Sequence, residues 1–83
     1  MDTVLRTKPA NVFLFLKGRD SAYLSEIAKE TGTTYVYITN FVSKLLEKGL
    51  VLVEPKGKKK MVRLTERGRE IASHLEEIRR KSE

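Results

Sequence analysis

The stretch LSEIAKETGTTYVYITNFVSKLLEKGLVLV, residues 24–53, constrains the fold of this chain more than any other. Ala28 is followed by Gly32 four residues later, and by Ile38 and Phe41 ten and thirteen residues after the alanine. The small alanine lets two helices cross closely, and the glycine supplies the left-handed backbone that ends the first of them. Ile38 and Phe41 then form the inward face of the second helix. This spacing predicts two short helices joined by a tight turn, a helix-turn-helix over about residues 23–48.

A further helix is predicted before this stretch. It begins near Lys8, enters through Pro9 and closes at Gly18, because proline suits a first turn and glycine an end. Its apolar surface is broad enough for the helix to be central to the core or covered by another subunit. Residues 1–7, which include Val4 and Leu5, fit either a frayed arm or the start of this helix, and residues 19–22 form a linker with room for one short edge strand. The apolar residues of the helix are Val12, Phe13, Leu14, Phe15 and Leu16.

The second helix of the pair, residues 35–48, has two faces of different chemistry. Thr34 is placed to cap its first turn by accepting a hydrogen bond from a free backbone amide, and Gly49 ends it. The residues predicted to face the core are Ile38, Phe41, Val42, Leu45 and Leu46. The residues on the opposite face are Tyr35, Val36, Thr39, Asn40 and Ser43.

After Gly49 the hydrophobic period changes to that of a strand. The runs LVLVE and MVRLT flank PKGKKK, which predicts a two-stranded hairpin over about residues 50–65, with Pro55 and Gly57 bending the chain. Thr65 then caps a last helix over about residues 66–80, whose final letters RRKSE are expected to fray. Four lysines stand at or near the hairpin tip, Lys56, Lys58, Lys59 and Lys60.

Charge indicates a polyanionic partner. Seventeen Lys and Arg against eleven Asp and Glu leave a formal charge of +6 on 83 residues. Phosphate contacts by such cations supply most sequence-independent affinity for nucleic acid. A solubilising surface of a heat-adapted protein is the other interpretation, since glutamine is absent and asparagine occurs only at Asn11 and Asn40. The two interpretations are compatible.

The sequence lacks the residues that several classes of function need. Without cysteine there is no disulfide, thiol nucleophile or thiolate zinc site, and a single His74 builds no metal cluster, so neither metal nor cofactor is expected. We interpret His74 as a surface or subunit-contact residue. No phosphate-cradling glycine loop or nucleophile with a histidine partner is present, so no enzyme is expected. No apolar run approaches the roughly 18 residues of a membrane span and no secretory leader is seen, which predicts a soluble, cytoplasmic protein.

The order helix, helix, turn, helix, hairpin and closing helix resembles a winged helix-turn-helix domain of the MarR and ArsR-like prokaryotic regulators. The runs SEIAKETGTT, FVSKLLEKGLV and LTERGREI carry the resemblance, which covers residues 8–78. It implies a mainly α domain with a three-helix core, a two-stranded wing and a C-terminal helix. It also implies a dimeric transcriptional regulator. The chain lacks the longer terminal helices of full-length MarR proteins, so a small-molecule effector is not expected and a compact archaeal or archaeal-virus relative is favoured.

The residues that would bind double-stranded DNA fall into two sets. An α-helix fits the major groove, where Asn40 can pair with adenine and Val36 can contact a thymine methyl. Because no arginine lies on this face, strong reading of guanine is missing, and a modest or A·T-leaning preference is expected. The recognition set is Thr34, Tyr35, Val36, Thr39, Asn40 and Ser43, and the wing set, which would contact the backbone or minor groove, is Lys56, Lys58, Lys59, Lys60 and Arg63.

Two alternatives to sequence-specific regulation remain at this stage. One is a non-specific nucleoid role, and the other is a protein-interaction winged helix in a larger assembly, against which the wing lysines argue. The stripe Ile71, Leu75 and Ile78 on the last helix is compatible with packing on the core of its own domain. Because the last helix extends beyond what one small domain can cover, the contact of a symmetric homodimer is favoured for this stripe.

Overall fold

The computed structural model describes residues 8–82 of the chain, and the predicted arm around Val4 and Leu5 lies outside them. The order and types of the elements match the prediction, including the short edge strand for which the linker before the second helix had room. The elements are α1 (Lys8–Lys17), β1 (Ala22–Tyr23), α2 (Leu24–Thr31), α3 (Tyr35–Glu47), β2 (Val51–Lys56), β3 (Lys59–Leu64) and α4 (Glu66–Ser82).

An entirely apolar core lies between the helices and one face of the sheet. No polar or charged residue among those described is buried. Each of the first three helices and the two longer strands contributes at least one side chain that is almost fully buried, as the spacing of the sequence requires. The largest of these side chains are Leu16, Ile27, Ile38, Val12, Val51 and Val62.

The turn between α2 and α3 forms as its residue types predict. Gly32 adopts φ 66° and ψ 34°, the left-handed conformation that ends α2. The Thr33 amide then donates to the Ala28 carbonyl at 2.9 Å, so a backbone group left over at the helix end is paired. The Thr34 hydroxyl accepts from the Tyr37 amide at 3.0 Å, which confirms Thr34 as the cap of α3.

One residue of α3 that was predicted to face the core does not. Leu46 is 47% exposed, whereas Ile38, Val42 and Leu45 are buried. The core-facing positions repeat at four and three residues, and Leu46 lies about 100° around the helix from Leu45, near the point where α3 ends. The predicted inward position of Leu46 is therefore wrong.

An aromatic cluster joins α1 to α3. Phe41 is partly buried and makes an edge-to-face contact with Phe13, with ring centroids 6.4 Å apart. Tyr37 stacks on Phe41 with a centroid distance of 5.8 Å, and the Lys8 ammonium lies 5.3 Å from the Tyr37 ring. Aromatic pairs of this geometry add to the stabilisation from area burial. They hold the first turns of α3 against α1.

The sheet is antiparallel, with strand order β1, β3, β2. The linker before α2 supplies the predicted short edge strand, in which Ala22 lies opposite Val62 and Tyr23 opposite Met61. The hairpin turn contains only Gly57 and Lys58, and Gly57 has φ 63°.

Pro55 lies within β2, opposite Lys60, so the prediction that Pro55 bends the chain is wrong. Because β2 is an edge strand, one of its sides needs no ladder hydrogen bonds, and a proline is tolerated there. The strands therefore continue into what was predicted as a long turn.

The hairpin is closed at its foot by residues that we call the wing base, Gly49, Leu50, Thr65 and Gly68. The Thr65 hydroxyl donates to the Gly49 carbonyl at 2.7 Å, and the Thr65 amide donates to the Leu50 carbonyl at 3.0 Å. The same hydroxyl accepts from the Gly68 amide at 3.2 Å, which confirms Thr65 as the cap of α4. A Cβ on Gly68 would stand 2.1 Å from the Leu50 carbonyl oxygen, so this close approach requires glycine.

The last helix continues through Ser82, two residues beyond its predicted end near residue 80. The last turn contains Arg79, Arg80 and Lys81, whose charges favour the negative end of the helix dipole. An ion pair between Lys17 and Glu76 also ties α4 to α1.

Ala72 is the fully buried residue of α4, rather than a member of the predicted apolar stripe. Leu75 is partly buried against the core, and Ile71 and Ile78 are 37% and 45% exposed. One member of the stripe therefore packs within the domain, and two lie at the surface.

Candidate nucleic-acid interface

The six recognition residues form one exposed surface at the start of α3. Tyr35 and Val36 are 55% and 69% exposed. At about 100° per residue, positions 35, 36, 39, 40 and 43 fall within a sector of about 140°. Residues 35–43 contain no charged side chain. The surface is thus a neutral face of hydroxyl, amide, aromatic and methyl groups, and its members with Thr34 are Tyr35, Val36, Thr39, Asn40 and Ser43.

Two threonines of this surface present different chemistry to a ligand. Thr34 accepts from Tyr37 within the cap, so its own hydroxyl proton is still available for donation. The Thr39 hydroxyl donates to the Tyr35 carbonyl at 2.9 Å, so its proton is already engaged and only acceptor lone pairs face outward. Thr34 therefore suits a phosphate, whereas Thr39 in this conformation suits a base donor.

The wing cations divide between two sides of the hairpin. Strand alternation places Lys60 on the same face as the buried Val62, and Lys59 and Arg63 on the opposite face with Met61. Arg63 is paired with Glu54, with 3.4 Å between Nη2 and Oε1, and both side chains are about half exposed. An exposed pair of this kind contributes little to stability, but it offsets the charge of Arg63.

A groove of about 240 Å³ separates the wing tip from the helix-turn-helix. One wall is formed by the start of α2 together with Tyr35, and the other by three lysines of the wing tip. The groove therefore brings one member of the predicted recognition set, Tyr35, together with three members of the wing set. Its lining residues are Tyr23, Leu24, Ser25, Tyr35, Lys58, Lys59 and Lys60.

Lys56 and Arg63 do not line this groove. They border a second hollow of about 190 Å³, which also contains Asp20, Ser21, Glu54 and Met61. Two carboxylates accompany the two cations there, so the electrostatic attraction of this hollow for an anion is weaker than that of the lysine-lined groove. The wing set predicted as one group is thus split into two.

Tyr23 and Ser25 were not predicted as site residues. They reach the groove because β1 pairs with β3 and carries the start of α2 to the wing. A strand of two residues gives no periodic signal in a sequence, so hydrophobic periodicity could not mark Tyr23 as a site residue. The same pairing places the Lys59 ammonium 4.9 Å from the centre of the Tyr23 ring.

A carboxylate lies close to the cationic groove. The Glu26 carboxylate accepts from the Tyr23 amide at 3.0 Å and from Arg19 at 3.2 Å. The Tyr23 hydrogen bond, followed by the charges of Arg19 and Lys59, holds the pKa of Glu26 below its ordinary value despite partial burial. Glu26 therefore keeps its negative charge and secures the first turn of α2.

A second carboxylate is perturbed away from the groove. Hydrogen bonding and charge from Lys17, with smaller contributions from Arg80 and Arg79, lower the pKa of Glu76. This ion pair joins α1 and α4 and does not contribute to either hollow.

Neither a metal site nor a membrane-spanning helix is present in residues 8–82. No three His, Asp or Glu side chains in that range converge in a way that could hold a metal ion. Within the same range, no helix has both the length and the apolar character needed to cross a membrane.

Solved structures with the same architecture include AF1382 from Archaeoglobus fulgidus, at 25% identity and a TM-score of 0.85 over 92% of this chain and 88% of that one. The MarR family transcriptional regulator SPO1453 from Silicibacter pomeroyi DSS-3 matches at 24% identity and a TM-score of 0.79, over 89% and 54% of the two chains. Sso10a-2, a DNA-binding protein from Sulfolobus solfataricus, matches at 16% identity and a TM-score of 0.72, over 88% and 79%.

The chain thus spans about half the length of the MarR family structure, and most of AF1382. We found no curated protein with significant sequence similarity. The family model described as the DUF6293 C-terminal winged helix domain matches residues 13–76, which include the helix-turn-helix, the whole wing and most of α4. The predicted winged helix fold is therefore confirmed, and the chain belongs to the family of DUF6293 C-terminal winged helix domains.

Proposed function

We propose that this protein is a transcriptional regulator that binds double-stranded DNA, with α3 in the major groove and the wing on the adjacent backbone or minor groove. The observation that carries the proposal is the groove in which Tyr35, the first residue of the neutral face of α3, lies across from three lysines of the wing tip. A neutral polar helix face suits base edges, and a cationic rim suits phosphates.

Base reading is assigned to the exposed middle of α3. The 13 residues of this helix span about 20 Å, and its first nine residues are uncharged, so the helix can enter a groove without bringing a charge against the bases. The Asn40 amide can donate to and accept from adenine, and Val36 can contact a thymine methyl. Thr39 and Ser43 supplement these contacts. Without arginine on this face, the expected preference is modest and leans towards A·T pairs.

Phosphate contacts are assigned to the start of α3 and to the wing tip. The free hydroxyl proton of Thr34, the Tyr35 hydroxyl and the first backbone amides of α3 can donate to one phosphate. Lys58 and Lys60, on the opposite wall, can contact the backbone beyond it. The formal charge of +6 favours this association through counterion release.

The named functions of similar structures support the same proposal. SPO1453 is a MarR family transcriptional regulator, and Sso10a-2 is a DNA-binding protein. A protein from Pyrococcus horikoshii OT3 that matches at 25% identity and a TM-score of 0.71, over 81% of this chain and 72% of that one, is a transcriptional regulator homologue. Two of these three come from archaea.

We further propose that the protein acts as a homodimer in the cytoplasm. Ile71 and Ile78 lie at the surface of α4 beside the partly buried Leu75, and a symmetric contact would cover the exposed pair. Two copies would then read a roughly palindromic site, because the symmetry of the protein is repeated in the DNA.

The deciding experiment selects bound fragments from random duplex DNA and measures the mass of the free protein in solution. Enrichment of one sequence family, with a mass of two chains, is the expected result. Binding without enrichment would replace the regulator by a non-specific nucleoid protein. Absence of binding at low salt would leave a protein-interaction module, and a mass of one chain would remove the homodimer.

A further inference from the structure

The lysines of the wing tip have different surroundings. The Lys59 ammonium lies 4.9 Å from the centre of the Tyr23 ring, at a distance typical of cation–π contacts. Lys58 and Lys60 line the groove with Lys59, and within residues 8–82 neither of them contacts an aromatic ring or a carboxylate. Of the three lysines that line the groove, Lys59 is therefore the one held by an aromatic ring, and Lys58 and Lys60 stay available to a ligand.

Strand pairing explains this contact. Tyr23 lies opposite Met61, and Lys59 is two residues from Met61 on the same face of β3. The long lysine side chain can therefore extend along the strand to reach the ring. β1 ends at Tyr23, and α2 begins at the next residue. The contact of Lys59 with the Tyr23 ring therefore joins the wing tip to the start of the helix-turn-helix.

Tyr23 is itself firmly placed. Its backbone ends β1, precedes the first residue of α2, and donates through its amide to Glu26 at 3.0 Å. Its ring is half-buried and forms part of the groove wall. The negative charge of Glu26, which Lys59 also helps to maintain, lies near the same ammonium. The ring and the carboxylate together favour one position of the Lys59 side chain.

We propose that Tyr23 is a positioning residue for the wing, which holds Lys59 against the start of α2 so that Lys58 and Lys60 face the DNA backbone. Lys59 makes no phosphate contact of its own in this arrangement. The inference depends on the proposed function for its effect on DNA binding, but the contact itself exists in the free protein.

The test in the free protein uses nuclear magnetic resonance. The ε-methylene protons of Lys59 should be shielded by the Tyr23 ring, and the backbone of residues 56–60 should be ordered. Tyr23→Phe should keep both signals because the aromatic face remains, whereas Tyr23→Leu should lose both. Unchanged wing order in Tyr23→Leu would overturn the positioning role, whether or not the protein binds DNA.

The test with DNA measures affinity for one duplex across a range of salt concentrations. Lys59→Met and Tyr23→Leu should each weaken binding about two- to fivefold at every salt concentration, with the wild-type salt slope. Lys60→Met, the matched comparison on the same strand, should reduce the slope by about 0.9. Tyr23→Phe should restore wild-type affinity. A slope for Lys59→Met that falls as much as that of Lys60→Met would show that Lys59 contacts phosphate and would overturn the inference. Failure of the wild type to bind any duplex would instead contradict the proposed function.

Discussion

The exposed face of α3 is uncharged and backed along its length by the core, whereas the wing tip is cationic and stands beyond the last buried residues of the hairpin. Behind the face of α3, Ile38 and Val42 are buried, and Phe41 packs on α1. The tip has no such backing, and depends on the wing base at its foot and on the Lys59 contact at its side. In the proposed function, base reading and backbone binding therefore rest on separate supports, and substitutions should alter one without the other.

The largest expected effect is loss of the support beneath the wing. Gly68→Ala would place a Cβ 2.1 Å from the Leu50 carbonyl oxygen, and neither backbone can yield without breaking the hydrogen bonds of Thr65. We expect the free energy of unfolding to fall by about 3 kcal/mol, at the upper end of overpacking costs. Denaturant unfolding followed by circular dichroism measures this change.

Gly18→Ala is the matched control, because its new Cβ would have no neighbour closer than 3.7 Å. Its stability should be close to that of the wild type or slightly higher. Equal stability of the two alanine variants would mean that the wing base is not the tight junction described above.

The next effect separates backbone binding from base reading. The double variant Lys58→Ala, Lys60→Ala removes two proposed phosphate contacts from the groove. Affinity should fall on the order of 30-fold at roughly 0.15 M salt, equally for all sequences, and the salt slope should drop by about 1.8. Fluorescence anisotropy titrations at several salt concentrations measure both quantities. Lys81→Ala, which removes an exposed lysine of α4, serves as the charge control. An equal loss of affinity in that variant would mean that the wing lysines act only through the net charge of the protein.

A smaller effect is expected on α3. Asn40→Ala should cost about 1–3 kcal/mol of discrimination at one base pair and leave the salt slope unchanged. Competition between the selected duplex and a single-base variant measures the change in preference. The comparison between the two surfaces would break down if Asn40→Ala weakened binding to both duplexes equally.

The smallest effect concerns Glu26, which lies where the two surfaces meet. Its native pKa is below the ordinary value of about 4.3, chiefly because of the Tyr23 amide, so its ionised form stabilises the folded state. That stabilisation is present in full above about pH 5 and is lost as the pH falls through the native pKa. The melting temperature of the wild type should therefore fall further between pH 6 and pH 3 than the melting temperature of Glu26→Gln. Glu30→Gln, on the exposed side of α2, should show the same change of melting temperature with pH as the wild type. Identical pH dependence in all three proteins would mean that ionised Glu26 does not stabilise the fold.

Local signals predicted most of the scaffold correctly. Gly32, Thr34 and Thr65 act within a few residues of their own positions, so residue type and spacing were sufficient to place a helix end and two caps. The neutral face of α3 was predicted in the same way, from helical periodicity. The roles of its residues in DNA binding stay predictions.

What the sequence did not reveal depends on pairing between distant segments. Leu46 was misplaced because periodicity does not show where neighbouring elements stop covering a helix. Pro55 was taken for a bend because its place on an edge strand depends on the order of the sheet. The Tyr23 contact with Lys59 joins residues that are 36 positions apart in the sequence. The need for glycine at residue 68 arises from Leu50, which lies 18 positions earlier.

The closed wing base has a consequence for how such chains diversify. The hairpin packs on the core up to the pair of Val53 and Val62. None of the eight residues 54–61 between them is buried. Apart from the contacts of Met61 and Lys59 with Tyr23, changes in that segment leave the packing of the domain intact. If the wing binds DNA as proposed, related proteins can change its contacts through one short piece of sequence, without redesign of the helices.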